Sequence, residues 1–264
     1  MNECVVCRST INEFLYEGIR KCTNCGHVFS DMQLSDEELF ELYKKQYFFG
    51  DEYKDYPAEK EILQKNFRLR LKELQPHIDS KRHKHMLELG CAYGFFMDVA
   101  RDSFETVAGI DITEDGVSYA RDTLKLNVVC DDFLKHDFGD QSFDVACMWD
   151  TIEHLRHPDR YVAKLGTHMK SGALLALTTG DIDSFVARFK KDTWRLIHPP
   201  THIHYFSIKT MTEMLDKHGF DVIHDSHCGF YRSISTVTYT LFVLQRGWTR
   251  LYNLLASSGL TGLD

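Results

Sequence analysis

Short apolar segments alternate with segments of helical spacing from Met86 onward, and this alternation constrains the fold more than any other feature of the chain. Five of the apolar segments have the length of strands: HMLEL, TVAGID, NVVCDDF, FDVACMW and ALLALTT. Strands that alternate with helices predict an α/β fold with a parallel sheet and right-handed crossovers. Such a sheet binds ligands at the carboxyl ends of its strands, which is where we expect a site.

The first strand runs into a turn with two glycines, in the segment LELGCAYGFF at residues 87–96. Asp111 ends the second strand, 21 residues after Gly90, where a carboxylate can accept both hydroxyls of a ribose. A dinucleotide turn needs the pattern G-x-G-x-x-G, so that a pyrophosphate rests on the helix that follows. Here Ala92 stands in place of the middle glycine, and the third glycine is missing. The turn therefore favours a nucleoside compound without a pyrophosphate.

The charges around this turn indicate which compound that is. Glu88 begins the turn, where its carboxylate repels phosphate, and we expect no Lys or Arg beside Glu88 and Asp111. A pocket with two carboxylates suits a ligand that carries a ribose and positive charge. S-adenosylmethionine has both, since it contains an ammonium and a sulfonium group.

Two CxxC pairs, separated by fourteen residues, lie near the start of the chain. Each pair predicts a tight turn, and together they supply four thiolates for a tetrahedral zinc ion: Cys4, Cys7, Cys22 and Cys25. The alternating residues between the pairs predict a short hairpin, so the segment is a zinc ribbon. His27 could substitute for one of these ligands, but four cysteines already complete the site. A site filled by four cysteines has no open position, and we expect structural Zn²⁺.

The segment after the ribbon is rich in helix signals and in aromatic residues. Ser35 followed by Glu38 predicts a capping box that opens a helix through about Gln46. A second helix is expected from about Ala58 to His77. Between the two helices lies an aromatic cluster that is either interdomain core or a wall of an acceptor pocket: Tyr47, Phe48, Phe49, Tyr53 and Tyr56.

The end of the chain is harder to assign. A helix is expected to end at Gly219, and DVIHDSHC after it predicts a sixth strand. The run from Ser233 to Leu244 is either a seventh strand or helical, in which case that strand is missing and the chain reads as interrupted. We divide the chain into a ribbon at 1–30, a helical Tyr-rich segment at 31–80, a cofactor-binding core at 81–232 and an extension at 233–264.

The segments LELGCAYGFF, GIDI, VVCDDF and FDVACMWDTIEHLRHP together resemble the successive motifs of a class I S-adenosylmethionine-dependent methyltransferase. With the ribbon, the chain is similar to a subgroup with four ribbon cysteines and a Tyr-rich segment, some of which methylate sugars. The EH pair also resembles ubiquinone-type O-methyltransferases. The resemblance implies a Rossmann-like parallel sheet flanked by helices, behind a small zinc ribbon and a helical linker.

Ten cofactor-binding residues follow from this resemblance: Glu88, Gly90, Gly94, Phe95, Asp111, Ile112, Asp132, Phe133, Trp149 and Asp150. Gly90 and Gly94 would let the backbone approach the methionine part. Glu88 would hold the ammonium through the backbone or water. Asp132 would accept a hydrogen bond from the adenine amino group. Asp131 is the less favoured alternative, and the acid here is otherwise a loop cap.

Methyl transfer to an alcohol needs a base, because the alcohol is a poor nucleophile until its proton leaves. His154 follows Glu153 at the end of the fourth strand, and we assign His154 as the base; otherwise it is a histidine that only packs. Glu153 and His154 alternatively help to hold a divalent ion. His202 matches the histidine that the family places shortly before YFS.

A long insertion follows the fifth strand and is expected to bind the acceptor. Six aromatic or polar residues crowd into it: Trp194, Arg195, His198, His202, His204 and Tyr205. Aromatic faces with polar tips suit a sugar or a small aromatic ring, and the sequence does not separate the two. A metal cluster of His198, His202 and His204 is the less favoured interpretation.

Composition narrows the choice of partners. The 264 residues carry a formal net charge of −8 with no long run of Lys and Arg, which argues against a bulk electrostatic grip on nucleic acid. The first ten residues have no apolar segment typical of a signal peptide, no segment is long enough to span a bilayer, and we expect a cytoplasmic protein. The predicted function is O-methylation of a sugar or nucleotide-sugar. The alternatives are a ribosomal RNA methyltransferase with a zinc ribbon and a non-catalytic S-adenosylmethionine-binding module.

Overall fold

The computed structural model describes residues 3–32, 34–45, 56–232, 238, 248–251 and 254. Nine strands are found there: β1 Asn12–Tyr16, β2 Ile19–Cys22, β3 Val28–Ser30, β4 His85–Leu89, β5 Thr106–Asp111, β6 Asn127–Cys130, β7 Phe143–Trp149, β8 Met169–Thr178 and β9 His204–Tyr205. The α-helices of the same residues are α1 Asp36–Lys45, α2 Lys60–Leu74, α3 Phe95–Ala100, α4 Glu114–Ser118, α5 Pro158–Thr167, α6 Phe185–Lys190 and α7 Ile208–Asp216.

Five strands form a parallel sheet in the order β6-β5-β4-β7-β8. Each corresponds to one of the five apolar segments of the sequence, so the predicted α/β fold is confirmed. The chain order reverses direction at β4, whose neighbours are β5 on one side and β7 on the other. A crevice at such a switch point is where open parallel sheets bind ligands. The ends of β4, β5 and β7 are therefore the place to examine.

A second, antiparallel sheet contains the predicted hairpin, and it draws its last strand from the far end of the chain. Its order is β1-β2-β3-β9, with Val28 opposite Tyr205 and Phe29 opposite His204. Gly18 makes the β1–β2 turn with a φ of 72°, a left-handed conformation that favours glycine. The cysteine-bearing segment is thus joined by main-chain hydrogen bonds to the insertion that follows β8.

The two sheets also share one hydrophobic core. Phe29 and three buried cysteines of the N-terminal segment belong to the same cluster of side chains as Leu87 and Met148 of the parallel sheet and Phe206 after β9; the three cysteines are Cys4, Cys22 and Cys25. Beside this shared core, Arg8 of the N-terminal segment forms a salt bridge with Asp159 of α5, with an N···O distance of 2.5 Å. Burial of a shared apolar interface couples the stability of the two parts.

Local signals predicted the helices well. Ser35 accepts a hydrogen bond from the Glu38 amide at 3.1 Å, and the Glu38 carboxylate accepts one from the Ser35 amide at 2.7 Å, so the capping box is confirmed. The predicted helix at 58–77 is α2 with a short 3₁₀ turn at each end. Gly219 lies past α7 with a φ of 82°, as expected of a residue that ends a helix.

The predicted sixth strand is wrong. Residues 221–228 have no regular structure, and Val222 and Ile223 are exposed rather than packed against a sheet. The proposed seventh-strand run lies outside the described residues except for Thr238, which is helical. Of the aromatic cluster only Tyr56 is described; it is buried and its ring stacks on Phe95 with centroids 5.5 Å apart. None of the described helices combines the length and the apolar character that crossing a membrane requires.

Candidate functional site

The turn after β4 is tightly bent and is held by the acid at the end of β5. Gly90, Ala92 and Gly94 have φ values of 72°, 43° and 71°, all in the left-handed region. A Cβ at Gly90 would lie 2.6 Å from the Thr151 hydroxyl, so no larger residue fits there. Asp111 accepts a hydrogen bond from the Ala92 amide at 2.8 Å. The turn and the strand end are therefore one preformed unit.

Asp111 is more heavily engaged than the sequence suggested. Besides the Ala92 amide, the Thr113 amide and hydroxyl donate to its Oδ1 at 2.8 and 2.5 Å. Burial nevertheless raises the pKa of the Asp111 carboxyl above its ordinary value. Both oxygens of Asp111 thus accept hydrogen bonds from the turn and from the residue after β5, which fixes the orientation of the carboxylate. Ile112, the next residue, is half-buried beside it.

Glu88 lies on β4 directly before this turn and is 2% exposed. Its Oε2 has no hydrogen-bond partner among the described residues. Burial, and the negative charge of Asp111, raise the pKa of Glu88 well above its ordinary range. A buried acid with an unsatisfied oxygen is costly by itself, and a nearby cation relieves that cost. The residues of this turn therefore fit a ligand with an ammonium group.

The acid after β6 acts as a loop cap in the structure. Asp132 accepts hydrogen bonds from the Leu134 amide at 2.9 Å and from the Tyr161 hydroxyl at 3.3 Å. Asp131 instead accepts from His136, 2.9 Å away. Phe133 is buried against Tyr161, with stacked rings 5.5 Å apart. Asp132 therefore caps a loop. A capping carboxylate at a strand end can also accept a hydrogen bond from a ligand, so the expected bond to the adenine amino group is compatible with this role.

The end of β7 carries a charge that the sequence analysis missed. Arg70 on α2 pairs with Asp150 at 2.7 Å, and its guanidinium lies over the ring of Trp149. Its positive charge also lowers the pKa of the Glu88 carboxyl, in opposition to the larger effect of burial. The expectation that no Lys or Arg lies near this site was therefore wrong. Arg70 comes from a helix 80 residues earlier, and only a helical pattern on that segment hinted at its place.

A buried group of one acid and two imidazoles lies just beyond β7. Glu153 and His154 form a 3₁₀ turn there, and His202 reaches them from the insertion. One ligand-type atom of each lies within 4.8 Å of the other two, an arrangement that also suits a divalent cation. Burial, and next the neighbouring His202, lower the pKa of His154 to about 3. The imidazole is therefore neutral at physiological pH, and burial disfavours its protonated form, so proton transfer to it requires a nearby negative charge.

The other residues of the insertion divide into buried and exposed sets. Trp194 and Tyr205 line a small cavity together with Glu153 and His202. Arg195 and His198 are exposed. His204 is buried and forms a hydrogen bond with His27. Within the described residues, the group that could hold a metal ion consists of Glu153, His154 and His202, and it does not include His198 or His204.

The four cysteines of the N-terminal segment lie together. Their sulfur atoms are within 4.8 Å of one another, with Cys4 and Cys25 3.6 Å apart and Cys7 and Cys22 3.5 Å apart. A tetrahedral zinc ion with Zn–S bonds near 2.3 Å requires sulfur separations of about 3.8 Å. None of the eight cysteines, all of which belong to the described residues, forms a disulfide. The four thiols of the cluster thus fit a zinc ion without rearrangement of the fold.

Comparison with known proteins relates the chain to one family. A family model described as "Methyltransferase domain" matches residues 60–225, which is more than half of the chain. A ubiquinone biosynthesis O-methyltransferase of Coxiella burnetii is 27% identical over 116 residues. That match covers 42% of this chain and 49% of the relative, so the chain spans about half the length of this curated relative.

Solved structures share the fold at low identity. The magnesium protoporphyrin IX methyltransferase of Synechocystis, solved with bound SAH (S-adenosylhomocysteine), has a TM-score of 0.55 and 12% identity, over 74% of this chain and 94% of that one. A methyltransferase of Thermotoga maritima described as a possible histamine N-methyltransferase has a TM-score of 0.54 and 19% identity, over 70% and 82% of the two chains. The core is therefore the class I Rossmann-like fold.

Proposed function

The chain belongs to the methyltransferase-domain family, and from this premise we propose that it transfers a methyl group from S-adenosylmethionine to an oxygen atom of a small acceptor. The acceptor is a sugar or a nucleotide-sugar in glycan or natural-product biosynthesis. The observation that carries the proposal is the meeting of two groups at one edge of the sheet. One group is the turn at Gly90 after β4 with Asp111 at the end of β5, and the other is the Glu153–His154–His202 group beyond β7. β4 and β7 are neighbours in the sheet, and Thr151 lies against the turn at Gly90.

On this proposal the cofactor lies across the ends of β4 and β5. Asp111 accepts from the ribose hydroxyls, and Asp132 accepts from the adenine amino group. Glu88 supplies negative charge toward the ammonium, and its burial without a partner for Oε2 supports this role. Bound there, S-adenosylmethionine supplies a methyl group activated by its sulfonium. The other residues of the proposed set shape the walls of the site: Gly90, Gly94, Phe95, Ile112, Phe133, Trp149 and Asp150.

The acceptor binds beside His154, which takes the proton of the attacking hydroxyl through Nε2. Its Nδ1 donates to the Thr201 carbonyl at 2.8 Å, which fixes the ring. His202 and Glu153 orient the acceptor and the imidazolium that forms. Trp194 and Tyr205 line the small cavity beside this group, and aromatic walls suit the face of a sugar ring as they suit a small aromatic ring.

The N-terminal segment, in this account, is a zinc ribbon with a structural ion. Cys4, Cys7, Cys22 and Cys25 would hold the ion, and their sulfur separations support it. We retain the division into a ribbon at 1–30, a linker at 31–80, a methyltransferase core at 81–232 and an extension at 233–264. The division describes sequence units, because β9 of the core lies in the sheet of the ribbon.

Transfer of a labelled methyl group tests the function. The purified protein is incubated with S-adenosyl-[methyl-³H]methionine and a panel of nucleotide-sugars, free sugars, phenols and ribosomal RNA. We expect label in a nucleotide-sugar or sugar, and loss of that label with His154→Gln. Label in RNA would replace the acceptor assignment with the nucleic-acid alternative. SAH binding with no labelled product in the whole panel would favour a non-catalytic binding module.

A further inference from the structure

A buried pair of imidazoles connects the cysteine cluster to the insertion. His27, two residues after Cys25, is 0% exposed, and His204 is 1% exposed. Nε2 of His27 lies 3.0 Å from Nδ1 of His204. Nε2 of His204 faces the Arg156 carbonyl oxygen at 3.5 Å, and a carbonyl only accepts. His204 therefore carries its hydrogen on Nε2, and His27 donates to Nδ1.

The connection continues from this pair to the proposed catalytic group. The Ser30 amide of β3 donates to the Ile203 carbonyl at 2.9 Å, and the Ile203 amide donates to the Glu153 carbonyl at 3.0 Å. The peptide groups of Ile203 thus bridge the ribbon sheet and the acid at the end of β7. His202 is the residue directly before Ile203, and the Tyr205 hydroxyl donates to its carbonyl at 2.8 Å. His202 is thus tied to β9 through its carbonyl, in addition to its hydrogen bonds within the insertion.

We propose that His27 is a positioning residue for the methyl transfer proposed above: through His204 and β9 it holds His202 and Glu153 in line with His154. The inference rests on that proposed function. Among the described residues, the ring of His27 contacts Phe29, His204 and Phe206, so we infer that it acts through these neighbours. Small displacements of a catalytic group reduce the rate strongly, because the reacting atoms lose their alignment.

The direct test compares two replacements of His27. His27→Phe keeps a ring that packs against Phe206, whose ring centroid lies 4.8 Å from that of His27, but removes the hydrogen bond. His27→Gln places an amide N–H where Nε2 was. We expect His27→Phe to lower kcat on the order of 10-fold with SAH affinity and bound zinc unchanged, and His27→Gln to stay within about 3-fold of the wild type.

A second readout does not depend on activity. In protein labelled with ¹⁵N-histidine, His27→Phe should shift the imidazole signals of His202 and His154. His83→Phe is the matched control, because His83 is also buried and bonds to a carbonyl, that of Gly172, at 3.1 Å. That control should leave both signals and kcat unchanged. If His27→Phe does not fold, His204→Phe removes the same hydrogen bond from the other side, because it takes away the Nδ1 acceptor, and it is measured in the same way.

Two results overturn the proposal. One is a His27→Phe protein with wild-type kcat and unmoved His202 signals. The other is a loss of kcat matched by equal losses of SAH affinity and bound zinc, which would give His27 a purely structural role. A wild-type protein that methylates no acceptor would contradict the proposed function instead, and the nuclear magnetic resonance comparison would still decide whether His27 positions His202.

Discussion

His154 and His202 lie edge to face with ring centroids 4.6 Å apart, although they are separated by almost fifty residues in the chain. Each imidazole is fixed by its Nδ1, which donates to the Thr201 carbonyl at 2.8 Å for His154 and to the Leu196 carbonyl at 3.0 Å for His202. The hydrogen on Nδ1 leaves Nε2 of each ring as the basic atom. The main chain thus fixes the tautomer and the orientation of both imidazoles, with Nε2 of each as the proton-accepting atom.

Replacement of these histidines should reduce turnover and spare cofactor binding. We expect His154→Gln to lower kcat about 100-fold, because the attacking hydroxyl then lacks its base. His202→Gln should lower it as well, and the double variant should lose much less than the product of the two effects, since the rings act together. Steady-state kinetics and SAH calorimetry measure both quantities. Near-normal turnover of His154→Gln would remove it as the base; exposed His227→Gln is the control.

Asp111 should govern the affinity for the cofactor. The notable risk with alanine at this position is loss of the turn, because Asp111 also accepts from the Ala92 amide. Asp111→Asn keeps the shape and removes the charge and one acceptor. Both carboxylate oxygens already accept from the protein, so the new amide NH2 opposes an N–H donor and should lower the melting temperature. We expect SAH affinity, measured below the unfolding transition, to fall at least about 10-fold, equivalent to ~1.4 kcal/mol. Asp115→Asn, an exposed acid nearby, is the control; equal affinities in the two variants would rule out the ribose assignment.

Glu88 links cofactor binding to pH. Its pKa in the free protein is raised by burial and by Asp111, so the unfolded chain releases this proton at lower pH than the folded one. The free energy of unfolding therefore decreases as pH rises above the ordinary glutamate pKa of about 4.5. Glu88→Gln should raise the melting temperature at pH 8 more than at pH 5.

The same variant should bind the cationic cofactor more weakly. A positive ligand favours the ionised carboxylate, so binding of S-adenosylmethionine to the wild type should release a proton and tighten with rising pH. Calorimetry in buffers of different ionisation enthalpy counts that proton. Identical proton release by wild type and Glu88→Gln would show that the carboxylate does not respond to the cofactor.

The cysteine cluster should stabilise the whole molecule. Its buried residues share a core with β4 and β7, so loss of the proposed zinc ion should loosen both sheets together. Cys22→Ser should lower the zinc content, measured by atomic absorption, and lower the melting temperature by about 10 °C or more in a single transition. Exposed Cys130→Ser should change neither. Two separate transitions would mean that the ribbon folds independently.

Local patterns predicted much of the molecule. The five parallel strands followed from apolar segments of strand length, and the α1 capping box from Ser35 and Glu38, because these signals lie within a few residues of each other. The turn at Gly90 and the acid at Asp111 were also visible, since their spacing belongs to a βαβ unit.

Long-range contacts could not be predicted in the same way. β9 has two residues, and nothing in its own sequence indicates that Phe29 lies opposite His204. Arg70 belongs to an ordinary amphipathic helix, and only the packing of α2 on the sheet brings it to Asp150. The prediction of a sixth strand failed because local propensity was present and a long-range partner was not. Val222 and Ile223 have strand propensity, but a strand needs a neighbour to pair with, and propensity does not supply one.

Calorimetric titration of the purified protein with SAH, beside NAD⁺ under the same conditions, tests the central claim most directly. The claim is that the edge of the sheet at Gly90 and Asp111 binds a nucleoside cofactor without a pyrophosphate. It predicts one saturable site per chain for SAH and no measurable heat with NAD⁺. Saturable binding of NAD⁺ with no binding of SAH would contradict it.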